Sequence, residues 1–317
     1  MKSFSTLLLP LVLAASALAH GVVTTITIDG KTYTGSTPNQ PKKPSIIRYI
    51  TDASPVKGAK NDALGCGPGA DPASDVAEAM PGSKISFLWV SANNANWPHD
   101  TGPMLTYMAS CGDTPCNKFD SKNAKWFKID DTGRKDGNNP KSKWVQADTM
   151  YQRAPAFVTI PKTIAPGNYL IRHEIIGLHL ANEFNGAEFY PSCAQLHIGG
   201  SQTGKPTASE LVSLPGAYSN NDPGIFYKAI FDSAPYTFPG PKVASFVNGT
   251  PAAGGNPTST PTGTGSGPKA TPTKSASGGC KLKKNSVQAR SVNNAATVRP
   301  RHLSRVMRGL IAGRSSS

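Results

Sequence analysis

After the run from Leu7 to Ala15 the 317-residue sequence has no second apolar stretch, so nothing in it reads as a permanent transmembrane segment. It also lacks an internal repeat, a Walker phosphate loop, a Gly-x-Gly-x-x-Gly fingerprint and a Gly-x-Ser-x-Gly elbow. The usual signatures of nucleotide chemistry and of the common serine hydrolases are therefore missing. No stretch between residues 20 and 247 keeps a long 3.6-residue apolar period, which argues against a helical domain. Acidic residues are absent from 248–317, which hold eleven Lys or Arg and so carry most of the formal net charge of +14. The 22 basic and 19 acidic residues before them nearly balance. The high pI thus describes one end of the chain and not a nucleic-acid-binding face, and no nucleic-acid partner is expected.

What is present begins with a secretory signal. Lys2 supplies the positive charge, Leu7 to Ala15 the apolar run, and Ala17-Leu18-Ala19 the small-x-small cleavage site. Cleavage after Ala19 makes His20 the first residue of a secreted, extracellular product. From Asn248 onward a Pro-, Gly-, Ser- and Thr-rich stretch has almost nothing to bury. The expected organisation is a signal peptide (1–19), one folded domain (20–247), a linker (248–279) and a disordered basic tail (280–317). Asn248 opens an Asn-Gly-Thr glycosylation acceptor. Five cysteines in an oxidising compartment imply two bridges and one left over. Cys111 and Cys116 are close enough to close a tight loop, which leaves Cys66 and Cys193 to join distant parts of the domain and Cys280 alone.

Short segments with period-two alternation and β-branched or aromatic content recur at 22–28, 84–90, 104–108, 156–160, 168–179 and 194–198. They read as strands, separated by clusters of Gly, Pro, Asn and Asp. The fold class expected is all-β, an antiparallel sandwich with long loops.

Of the domain's five histidines, at 20, 99, 173, 179 and 197, two stand out. An N-terminal histidine offers its α-amine and its imidazole as two nitrogen ligands on one residue. His99 sits on a loop just before a strand, where a rigid sheet can position it. Together they offer three nitrogens in a T, the arrangement that suits tetragonal Cu(II), and no thiolate pair is free to favour zinc.

Four segments carry a resemblance: His20-Gly21; "NWPHDTGPMLTYMASC" (96–111); "APGNYLIRHEIIGLH" (165–179); and "NGAEFYPSCAQLHI" (185–198). In this order and with these cysteines the chain resembles a fungal lytic polysaccharide monooxygenase of auxiliary-activity family 9, over about residues 20–247. The resemblance implies an immunoglobulin-like sandwich with a flat face bearing one copper ion, held by His20 and His99 with Tyr190 on the axial side. It implies that His179 hydrogen-bonds reactive oxygen species without ligating the metal, and it leaves His173 and His197 structural. Glu188 stands where the family usually has glutamine. In an extended strand it shares a face with Tyr190, and since a carboxylate donates only when protonated, it either fills the glutamine's space or serves as a titratable relay. Tyr236 matches a tyrosine that stacks on sugar rings, and Tyr33, on an early loop, is a second candidate.

The activity implied is oxidative cleavage of cellulose or a related β-1,4-glucan. Hydroxylation occurs at C1 and/or C4, with peroxide or oxygen and an external electron donor, either a small reductant or a redox protein. The short segment between strand and ligand, "SANNANWPH", leans to C1 or mixed attack. A monomer is expected. Two other classes compete. A glycosidase would need a carboxylate pair such as Glu174 and Glu188 around a cleft, and a non-catalytic copper- or carbohydrate-binding protein would keep the histidines without oxidising anything. The tail from Cys280 has one cysteine and no Trp, Tyr or Phe, so it does not match the family's cellulose-binding module. Leu303, Val306, Met307, Leu310 and Ile311 between arginines allow a basic amphipathic helix there.

Overall fold

The computed structural model describes residues 20–249; the signal peptide, the linker from residue 250, Cys280 and the basic tail lie outside the described residues. Nine strands form two sheets: β1 (Gly21–Ile28), β2 (Lys31–Thr34), β3 (Ala77–Ala79), β4 (Lys84–Ser91), β5 (Met104–Gly112), β6 (Trp126–Thr132), β7 (Ala156–Thr159), β8 (Gly167–Gly177) and β9 (Glu188–Ile198). The four-stranded sheet runs β2-β1-β4-β7 and the five-stranded sheet β3-β9-β8-β5-β6. All pairs are antiparallel except β3 with β9. No helix among the described residues is long and apolar enough to cross a membrane.

The six segments read as strands all lie in strands of the sandwich. The others were hidden for physical reasons. β2 is largely exposed and has no apolar face to show a pattern. Its signal is the two-residue turn Asp29-Gly30, where both residues take positive φ (46° and 88°), the conformation an Asp-Gly hairpin favours. Tyr33 therefore stands on β2, opposite Ile26, and not on a loop. Its ring packs half-buried against the core with the Lys31 ammonium 5.1 Å from its centroid. β6 is buried on both faces along its first four residues, so its sequence does not alternate, and the central part of β8, within the expected strand 168–179, is buried on both faces as well.

That double burial organises the domain. Ile171, His173 and Ile175 of β8 point into the sandwich with Phe87 and Trp89, while Leu170 and Ile176 point the other way, into a second apolar cluster built by the long loops. Pro191 interrupts β9 without breaking its ladder to β8. Phe189, Cys193 and Gln195, at the same parity, exchange backbone hydrogen bonds with residues 46–56 instead, so the missing N–H falls on the loop side. Both expected disulfides are present, Cys66–Cys193 and Cys111–Cys116. The first ties the loop that covers the second cluster to β9.

His173 is fully buried. Its Nδ1 accepts from Trp89 Nε1 at 3.0 Å and its ring stacks on Phe87 at 4.6 Å. Burial, then the neighbouring Arg172 guanidinium, drops its pKa to about 3, so the folded protein holds it neutral. The unfolded chain takes up that proton near pH 6.5. The stability it contributes is complete above that pH and is lost as pH falls towards 3, at up to about 1.4 kcal/mol per pH unit. His173→Gln, which keeps an acceptor and cannot titrate, should show a shallower fall of unfolding free energy between pH 6 and 4 than the parent in denaturant titrations. Loop-closure entropy sets a second expectation. With its cysteines 127 positions apart in sequence, removing the Cys66–Cys193 bridge should cost about 5 kcal/mol. Removing Cys111–Cys116, which spans 5 residues, should cost about 2 kcal/mol. Denaturation of the paired Cys→Ala variants checks the order.

Candidate metal centre

The site forms at one end of the sandwich around Trp97, which is fully buried. Its Nε1 donates to the Gln146 Oε1 at 3.0 Å, and Gln146 opens a short helix, Gln146–Gln152, that carried no sequence signal. The indole meets Trp89 (5.3 Å), Tyr190 (4.9 Å) and His99 (5.4 Å) edge-on. Gly21 lies against the same ring: a Cβ there would come within 2.7 Å of it and 2.4 Å of the Val90 carbonyl. The residue before it, His20, accepts at its carbonyl from the Ala92 N–H at 2.8 Å. The start of β1 and the loop bearing His99 are thus both seated on Trp97.

His99, His179 and Glu188 converge, with one ligand atom from each lying within 4.8 Å of the others. The His99 and His179 rings stack at 4.3 Å, 13° from parallel. His99 Nε2 is 3.1 Å from the Tyr190 hydroxyl. Glu188, the first residue of β9, faces Gly177 across the ladder, and its side chain shares the face of Tyr190 as strand geometry requires. The Tyr190 hydroxyl donates to Glu188 Oε2 at 2.7 Å, and the same oxygen lies 3.5 Å from His99 Nε2 and 3.6 Å from His179 Nε2. Lys57 Nζ sits 3.0 Å from the other carboxylate oxygen.

Electrostatics follow from these contacts. Burial pushes the Glu188 carboxyl up, but the Tyr190 hydroxyl and the Lys57 ammonium outweigh it and hold its pKa below the ordinary value. It is an ionised acceptor, not a donor. Burial and then that carboxylate push the Tyr190 phenol far up, so it stays protonated. His179 is pulled below its usual value by burial first, with Lys57 acting the same way against Glu188 and Asp100. Its Nδ1 is buried without a hydrogen-bond partner. The four described cysteines are all in disulfides, so the donors here are imidazole nitrogen, phenol and carboxylate oxygen, a set that fits Cu(II).

Other candidates lie elsewhere. Tyr236 is a correction: it is only 6% exposed. Its ring is enclosed edge-on by Trp144, Tyr227 and Phe238, and its hydroxyl donates to the Gly224 carbonyl at 2.7 Å. No face of it is open to a sugar. His173 is in the core and His197 is exposed on β9, opposite Glu78 of β3. Glu174 is fully buried in an ion pair with Arg172 (2.5 Å) and accepts from Tyr218 at 2.7 Å. It points to the second cluster, on the opposite face of the sheet from Glu188, so the two carboxylates do not form a glycosidase pair. Asn248 ends an exposed turn, Ser245–Asn248. Three contributors had no assigned role in the sequence: Trp97 itself, Lys57, and Tyr151. Tyr151 is 60% exposed and donates to the Asp100 carboxylate at 2.9 Å, beside His99.

Comparison with known proteins agrees with this geometry. The model of Auxiliary Activity family 9 (formerly GH61) matches residues 20–236, beginning at His20. AA9 family lytic polysaccharide monooxygenase D of Gloeophyllum trabeum is 47% identical, over 93% of this chain and 91% of that protein. Among solved structures, HiLPMO9B superposes with a TM-score of 0.63 at 31% identity, covering 71% of this chain and 99% of that one. A cellulose-active polysaccharide monooxygenase from M. thermophila gives 0.62 at 37% identity, covering 71% and 98%. A sandwich in which His99 and His179 converge beside Tyr190, matched by family, sequence and structure, makes this chain a member of Auxiliary Activity family 9, the lytic polysaccharide monooxygenases.

Proposed function

We propose that removal of residues 1–19 in secretion frees the α-amine of His20, and that this amine, the His20 imidazole and His99 would hold one copper ion, with the Tyr190 hydroxyl beside His99. The observation that carries this reading is the convergence of His179 and Glu188 on His99, which with Tyr190 is seated on Trp97, the ring against which Gly21 is also packed. When bound, copper supplies the one-electron chemistry by which oxygen or peroxide, with an external reductant, attacks a C–H bond. The protein's share is positional. Trp97 fixes His99 and Tyr190 in one cage. Tyr190 remains a neutral phenol that closes one side without adding charge. His179, half-exposed, presents Nε2 beside Glu188 Oε2, where it can hold a proton next to an incoming oxygen co-substrate.

The substrate we assign is a β-1,4-glucan surface such as cellulose, hydroxylated at C1 or at both C1 and C4, by a monomeric secreted enzyme. With Tyr236 enclosed, the exposed aromatic beside the site is Tyr151, tethered to Asp100, with Phe184 (54% exposed) on the loop after His179. Each offers a ring face on which a pyranose can stack.

Retaining even one residue before His20 converts the amine to an amide and removes its lone pair. Such a protein, and His99→Ala, should bind Cu(II) weaker by about 100-fold or more in calorimetry and release no oxidised oligosaccharides from cellulose with ascorbate. His197→Ala should bind copper as the parent does; unchanged affinity in the first two sinks the ligand set. Tyr151→Ala should leave Cu(II) affinity unchanged while weakening retention on cellulose by about five-fold, the loss of roughly 1 kcal/mol of aromatic contact. Pull-down isotherms read it directly.

A further inference from the structure

Lys57 has no counterpart among the groups discussed so far: it is neither a ligand nor near the ligands in sequence. Its position is nevertheless set by the strand that carries the site. Val56 exchanges both backbone hydrogen bonds with Phe189 of β9, at 2.8 and 3.0 Å, which places the next residue over the β9 start. There the Lys57 ammonium makes two contacts, donating to the Gly186 carbonyl at 3.0 Å and pairing with Glu188 Oε1 at 3.0 Å. The Cys66–Cys193 disulfide ties the same loop to β9 a few residues further on.

Glu188 needs such a partner. Its carboxylate is nearly buried, and Oε2 already receives the Tyr190 hydroxyl while lying within 3.6 Å of both imidazoles. A carboxylate this close to two histidines is itself a metal ligand of ordinary type. Left to rotate, it can add an oxygen donor and a negative charge to the centre. We infer that Lys57 is a positioning residue for the metal centre: by clamping Oε1 against the Gly186 carbonyl and offsetting the charge, it keeps Glu188 an acceptor for Tyr190 and out of the metal's coordination. Magnitude supports a local role over a stabilising one. The Lys57 side chain is 42% exposed, and exposed ion pairs contribute only about 0–1 kcal/mol to folding. What the pair controls is the orientation of one carboxylate beside the ligands.

This inference rests on the copper reading above, and one set of proteins separates the two. Full-length processed protein, Lys57→Met, Lys57→Arg, Glu188→Gln and the double Lys57→Met/Glu188→Gln are each loaded with Cu(II) alone. Electron paramagnetic resonance, competition affinity and melting temperature are then measured. Lys57→Met should shift the Cu(II) spectrum towards greater oxygen ligation and change affinity by about ten-fold, with melting little altered. Lys57→Arg should retain the parent spectrum. In the Glu188→Gln background the Lys57 substitution should have no spectral effect, because no carboxylate remains to restrain. A Lys57→Met spectrum superimposable on the parent's, or an equal shift with and without Glu188, overturns the inference while leaving the copper site standing. Failure of the parent itself to bind Cu(II) removes the copper reading, and the inference with it.

Discussion

The burial of one indole governs the rest of the site. Trp97 contributes a large apolar surface that must be covered, and a single N–H that cannot be left unpaired in the interior. Gln146 meets the second need from the start of an otherwise unremarked helix. The first is met by the residues that matter for chemistry: Gly21 on one side, Tyr190 and His99 at the ring edge, Trp89 behind. The glycine after His20 is therefore a packing requirement, since a methyl group would collide with both the ring and a backbone carbonyl. Order at the start of β1 is obtained here from core packing.

A second constraint is the handling of charge. Two carboxylates of the five-stranded sheet, Glu174 and Glu188, are buried and each has specific partners. On the outer face Glu174 is neutralised by Arg172 and bonded to Tyr218, deep in the second cluster. At the end of the inner face Glu188 takes Tyr190 and Lys57. The two pairs differ in depth, and that separates their roles. The first is sealed and structural. The second stands at the rim, in reach of both imidazoles, where a carboxylate's orientation bears on what a metal sees.

The expected relay function of Glu188 reads differently once its neighbours are visible. From sequence the residue is a carboxylate in an unusual place, with a proton to give or take. In the folded protein its Oε2 accepts from the Tyr190 hydroxyl and its Oε1 pairs with Lys57, contacts that lower its pKa from the ordinary value. Tyr236 shows the opposite kind of change. A motif match placed it on the surface, but the aromatic cage of Trp144, Tyr227 and Phe238 encloses it. The exposed ring beside His99 belongs instead to Tyr151.

Local chemistry was legible in the chain itself. The alternation of β1, β4 and β7 follows from one wet and one dry face, the Asp29-Gly30 turn from its positive φ angles, and the shared face of Glu188 and Tyr190 from the two-residue repeat of a strand. The four described cysteines paired as expected, and His99 and His179, both in motif segments, lie in the convergent group. What no local pattern encodes is what arrives from far away. β6 hid its type because both of its faces are dry, and that is decided by loops packed over it. Tyr236 was sealed by Trp144 and Tyr227 from other segments together with its neighbour Phe238, and Lys57 reached Glu188 because Val56 pairs with Phe189 across more than a hundred residues. Residue type and spacing determine which groups can perform the chemistry. Only the packed fold decides which are covered, which are charged and which meet, because burial and distance belong to the whole chain and not to any segment of it.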